Sequence, residues 1–208
     1  MSGISRYYSA CRNCSVYHLE QGVGVNHFSF VMVLLSIIVG LGVTELLTNI
    51  ARQIQHRRTT KYYWLHSVIV ALVFMALLQQ WWESWSLQSK TEWSFTGLLL
   101  MLGGPIGIYL ISHLLYPAEI EDTDFDVHYY DNARVIAGLG VITVILAALF
   151  RPLSFGDPML VVGNIPTAIL LVAFLIATLT NNRKVHQFIL PALLVLILFD
   201  IIWFSGRI

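Results

Sequence analysis

The chain has 208 residues, 57% of them hydrophobic and only 12% charged, with a mean hydropathy of +0.71. A soluble domain carries about 25% charged residues, so a water-soluble globular fold is excluded. Twelve basic residues balance twelve acidic ones, so no basic footprint points to nucleic acid.

Residues 1–26 read as a polar N-terminal tail. It is not a signal peptide, since no apolar h-region precedes a cleavage site. Cys11 and Cys14 form a single C-x-x-C. With no second pair and no βαβ context, that is a weak sign of metal or redox chemistry. An apolar run begins directly after Val25. This makes Val25 a candidate translational start, read from a GTG codon, and residues 1–24 a start-site artefact. N-terminal sequencing of the native protein tests this; an intact tail rejects it.

Six apolar runs follow, at 28–50, 65–82, 93–116, 135–150, 160–180 and 185–204. A hydrocarbon core of roughly 30 Å needs about 20 apolar residues as helix. Four runs meet that requirement. Run 65–82 is near the lower limit, and run 135–150 needs Tyr129, Tyr130 and Ala133 to extend it. The runs are too long and too uniformly apolar for barrel strands, which leaves helices as the spanning structure. The prediction is an all-α polytopic protein, with 27–208 as one domain of six transmembrane helices in a lipid bilayer.

In the first run, Gly42, Glu45 and Asn49 are spaced i, i+3, i+7, with Thr48 and Arg52 beside them. That spacing places them on one helix face. Glu45 lies five residues from the end of the run, roughly 7 Å below the interface at about 1.5 Å per residue. An ionisable residue inside a span is a functional hypothesis by default; a structural pair, for instance with Arg52, accounts for Glu45 equally well. Ser36-x-x-x-Gly40 and, in the third run, Gly103-x-x-x-Gly107 are pairs of small residues that permit close helix packing. The packing is expected within the chain or, through these Gly-rich faces, in a homo-oligomer.

The connection 51–64 carries Arg52, Arg57, Arg58 and Lys61. Arg134, Arg183 and Lys184 fall on the same side, against Arg6, Arg12, Lys90, Arg151 and Arg207 on the other. By the positive-inside rule the richer side is cytoplasmic, with both termini outside an inner (plasma) membrane. Trp81, Trp82, Trp85, Trp93 and Trp203 mark one interface as an aromatic belt, and Tyr62, Tyr63 and Trp64 the other. The connection 117–134 is acidic. Its Asp122-x-Asp124-x-Asp126 lacks the glycine and glutamate that a calcium-binding EF-hand needs, so it reads as a solvated loop.

Gly40-Leu41-Gly42-Val43 in run one matches Gly138-Leu139-Gly140-Val141 in run four. Runs three and six each carry a proline, Pro105 and Pro191, followed by His113 and Asp200. This suggests two inverted three-helix repeats, an arrangement that recurs in secondary transporters. The match is also common in membrane helices generally.

Counting residues brings Glu45, His66, His113 and His186 to the same third of the membrane. Such a group could relay protons, hold a divalent ion or grip a haem; for His66 and His186 a plain interfacial role is the simpler account. Gln79, Gln80, Asn164 and Asp200 sit near the other side. The leading expectation is a small transporter or channel for an ion or small solute, with Glu45, Asn49, His113 and Asp200 as proton-coupling candidates. The alternative is a membrane redox protein using His66, His113 and His186 as metal or haem ligands, or a structural or sensory partner protein without transport. No nucleophile motif, phosphate-binding glycine loop or H-E-x-x-H is present, so the chain does not read as an enzyme, and no cofactor can be assigned from residues alone.

Overall fold

The computed structural model describes residues 27–90, 93–159 and 161–203. Cys11, Cys14 and Val25 lie outside the described residues. Among the described residues there are six α-helices: α1 (His27–Gln55), α2 (Trp64–Ser84), α3 (Phe95–Leu114), α4 (Phe125–Phe155), α5 (Ile165–Leu179) and α6 (Arg183–Trp203). Five are long and apolar enough to cross a membrane, and the protein is a multi-pass, all-helical membrane protein. The exception is α5, with 15 residues, or roughly 22 Å at about 1.5 Å per residue. The predicted run 160–180 shortens at both ends for local reasons. Pro166 sits in the first turn of α5, where its missing N–H costs nothing, and Asn182 caps α6 by accepting the Lys184 N–H at 3.0 Å.

The largest departure from expectation is α4. The predicted run 135–150 is the centre of a 31-residue helix that begins at Phe125 and ends on Gly156 in the left-handed conformation. Asp124 starts it, its Oδ1 accepting the Asp126 N–H at 3.1 Å. Half of the expected acidic loop is therefore helical, and two of its six carboxylates are in ion pairs. Asp126 meets Arg183 at 2.8 Å and Asp124 meets Lys61 at 3.1 Å. The Lys61 ammonium holds the Asp124 carboxyl below its usual range. The stabilisation from this exposed pair is present above the ordinary aspartate range and is lost as pH falls through the lowered value; such pairs contribute little.

Helix α1 lies along α3, α3 along α4, α4 along α5, and α6 along α2, with α2 also against α1 and α3. One apolar core, including Leu35, Leu46, Leu65, Leu77 and Phe125, joins α1 to α4; a second, of Leu72, Ala173, Leu193 and Ile197, joins α2, α5 and α6. Phe30, Ile37, Leu99, Ile142, Phe188 and Ile202 are exposed, as expected where lipid is the solvent.

Small residues set the closest approaches. A Cβ on Gly103 would stand 2.8 Å from Leu146 Cδ1, and one on Gly107 would collide with Thr143 Oγ1. The Gly103/Gly107 pair is thus used within the bundle, between α3 and α4. Ser36 instead accepts the Trp81 indole N–H at 2.9 Å, and Gly40 has open space beside it. The two Gly-Leu-Gly-Val stretches share a local pattern: Gly40 and Gly138 are open, while Gly42 faces Leu77 of α2 and Gly140 faces Phe174 of α5. Their wider settings differ, because α1 packs along α3 whereas α4 and α6 make no comparable contact.

A Cβ on Gly140 would be 2.6 Å from Phe174 Cδ1, a rigid ring. Gly140→Ala is expected to destabilise the protein by about 1–3 kcal/mol through overpacking. Gly138→Ala should be neutral or stabilising by up to about 1 kcal/mol from helix propensity. Thermal unfolding in detergent micelles compares the two, and equal effects would contradict the α4–α5 contact.

Candidate functional site

Along one face of α4 the residues Ala133, Ala137, Gly140 and Ala147 recur at helical spacing. Phe174 of α5 fills the notch at Gly140, and the rest of that small-residue face is not filled. The result is a cavity of about 630 Å³ between α2, α4, α5 and α6, backed by Ile108 and Ile111 of α3. Most of its wall is apolar, with Ile69, Leu72, Val73, Ile136, Val144 and Leu170 among the lining residues.

One end of the cavity is polar. Gln79 and Glu83 are four residues apart on α2, so they share a face. Gln79 Nε2 donates to Glu83 Oε1 at 2.9 Å and also to Asp200 Oδ2 of α6. Asp200 is only 9% exposed, and its Oδ1 takes no hydrogen bond among the described residues. No ion pair among the described residues involves Glu83 or Asp200. Of the bases near this end, Lys90 pairs with Asp157 at 3.0 Å, while Arg151 donates to Ser86 Oγ at 2.6 Å and acts on Glu83 only through space. Two carboxylates thus converge on one amide with no cation in contact. Burying charge without a partner is costly, so this arrangement has room for a positive charge. Glu83, Ser86, Arg151 and Asn164 line the cavity and are exposed, so this end reaches the surface.

The opposite end is shut by a polar clasp. His186 is fully buried. Its Nε2–H donates to the Thr180 carbonyl at 2.8 Å, which leaves Nδ1 to accept the Tyr129 hydroxyl at 2.7 Å. The Tyr63 and Tyr130 hydroxyls meet at 3.1 Å, and the Arg183 guanidinium lies 4.8 Å over the Tyr130 ring while it pairs with Asp126. These contacts tie together the first turns of α2, α4 and α6.

Glu45 and His113 do meet, but outside the cavity. His113 Nδ1 lies 2.9 Å from Glu45 Oε1, and the Asn49 amide donates to the same oxygen at 3.0 Å. Arg52 reaches Asn49 Oδ1 at 3.2 Å and the Ala118 carbonyl at 2.9 Å rather than Glu45 itself. The predicted polar face of α1 is therefore one chain of bonds, joining α1 to α3 and to the connection behind it. The His113 side chain is 67% exposed, and neither Glu45 nor His113 lines the cavity. Asp200, the other coupling candidate, stands at the cavity's polar end.

His66 is buried, its Nε2–H donating to the Leu115 carbonyl at 3.0 Å and its ring packed on Tyr116 and Phe125. Burial pushes the Tyr116 phenol up, so it stays a neutral edge for that ring. His66, His113 and His186 have separate partners, and both His186 nitrogens are engaged. Among the described residues no three His, Cys, Asp or Glu side chains come together to hold an ion. His66, His113 and His186 are therefore not brought together as one metal-binding set.

Glu83, Arg151, Tyr129 and Gln79 acquire their importance only from the fold. Glu83 falls just past the predicted second span and Arg151 just past the fourth, so both read as loop charges. The i, i+4 spacing of Gln79 and Glu83 was the available signal. Compared with known proteins, the chain matches no family model, and neither a curated protein nor a solved structure matches it.

Proposed function

We propose that this protein is a small membrane carrier whose solute site is the cavity between α2, α4, α5 and α6. The observation that carries the reading is the cavity's asymmetry: it reaches the surface beside Glu83 and Arg151 and ends at the buried Tyr129–His186 clasp. A largely apolar pocket with a few convergent polar groups is the usual form of a small-molecule site, and closure at one end suits alternating access. Asp200 and Glu83 are the coupling groups in this scheme. Glu45, Asn49 and His113 hold α1 to α3 on the flank and do not lie on the solute path. The clasp shares its side with seven of the twelve basic residues, so by the positive-inside rule it faces the cytoplasm. The polar mouth and both termini then face outward from a plasma membrane.

The test uses proteoliposomes loaded with a pH-sensitive dye and challenged with small organic cations, anions and neutral solutes. Solute-driven proton movement is expected. It should fall by about tenfold or more in Asp200→Asn, as for loss of a buried charged partner, and persist in Glu45→Gln. Loss in Glu45→Gln with retention in Asp200→Asn would move the path to the α1–α3 flank and reject the proposal.

A further inference from the structure

We infer that the cavity takes an organic cation: a protonated or quaternary amine with an apolar body, its charge held between Glu83 and Asp200. The inference rests on the carrier reading above for the location of the site, and adds the class of solute. Three observations carry it. The polar end presents two carboxylates around the single Gln79 amide nitrogen. Asp200, nine-tenths buried and lining the cavity, keeps one carboxylate oxygen without a hydrogen bond among the described residues. The remainder of the wall is mostly apolar over a volume of about 630 Å³, ample for a solute much larger than a metal ion.

Few charged groups surround Asp200. Helix α2 contributes Glu83, and α4 contributes Arg151, which is bonded to Ser86 and whose charge acts on Glu83 through space; the connection after α4 contributes Asp157, neutralised by Lys90. Helix α5 has no titratable residue. An organic anion would face two carboxylates at the charged end, and a neutral solute would not compete with a proton for them. A cation neutralises one of the two charges while Arg151 acts on the other at Glu83, and the cation's apolar body contacts the mostly apolar wall. A proton satisfies the same carboxylates, so cation and proton compete: entry of the cation releases the proton, with charge conserved in the site.

The probes are tetraphenylphosphonium and tetraphenylborate, equal in shape and opposite in charge, titrated calorimetrically into the full chain in detergent. Tetraphenylphosphonium is expected to bind at one site per chain. Its affinity should fall as pH falls, and titrations in buffers of different ionisation enthalpy should report proton release. Asp200→Asn and Glu83→Gln should each weaken it by about tenfold or more, and Glu45→Gln should not. Equal or tighter binding of tetraphenylborate, or pH-independent binding of the cation to wild-type protein, overturns the inference. Both comparisons use the unaltered chain, so they stand even if a variant does not fold. Cation binding in detergent without exchange in proteoliposomes would sink the carrier reading and leave the cation site standing. Asp200-dependent movement of some other solute, with no tetraphenylphosphonium binding, would sink the cation class alone.

Discussion

His186→Ala is expected to lower the stability of the protein by about 3–5 kcal/mol, among the largest effects of any single substitution. The imidazole is fully buried and bonded at both nitrogens, to Tyr129 and to Thr180. Alanine leaves the Tyr129 hydroxyl and the Thr180 carbonyl without partners, at about 1–3 kcal/mol each, and opens a void beside them. Tyr129→Phe should cost less, about 1–3 kcal/mol, because it strands only His186 Nδ1. The two substitutions remove one shared bond, so the double variant should be clearly less destabilised than the sum. Thermal unfolding in micelles gives the stabilities, and a passive proton leak in proteoliposomes is expected to accompany the loss of the clasp. A His186→Ala protein as stable and as tight as wild type would mean that this end of the cavity is closed by something else.

Asp200→Leu should have the opposite profile. Removing the buried Asp200 carboxylate relieves a charge that has no cation in contact among the described residues. Replacing buried ionic groups by apolar residues of similar volume is often neutral or stabilising by about 1–4 kcal/mol. Gln79 keeps its bond to the exposed Glu83, and its second amide hydrogen, freed from Asp200, turns to the water at this open end, which limits the cost of the lost bond. Stability is therefore expected to hold or rise while solute-driven proton movement is lost. A residue retained at a cost to stability is one selected for activity. If Asp200→Leu instead unfolds the protein, Asp200 is a structural bridge between α2 and α6, and the solute path needs another charged group.

The residues differ in how far each could be placed before the fold was known. The class followed from local quantities: the length of each apolar run and the scarcity of charge within it. Glu45 and His113 could be assigned one depth by counting along their helices, yet counting cannot say whether two helices touch. Their 2.9 Å contact exists because α1 lies along α3. It turns the polar face of α1 into a flank contact rather than a lining. Asp200 stood out as a charge in a span, but Glu83 and Arg151 did not, because each falls beyond the end of an apolar run. His186 looked interfacial by position and is buried because Tyr129 reaches it. Tyr129 is available because α4 starts ten residues before its apolar run, capped by Asp124.

From residues alone the chain is a helical membrane protein with six apolar segments, because the cost of exposing backbone and charge to lipid is paid residue by residue and is written locally. Which polar groups share a space was decided by tertiary structure. Helix rotation and neighbour choice depend on small residues meeting large ones across the bundle: Gly107 at Thr143, Gly140 at Phe174, Gly42 at Leu77. Those contacts fix which face of α4 stays unfilled, and with it the cavity that joins Asp200, Gln79 and Glu83 at one end to Tyr129 at the other.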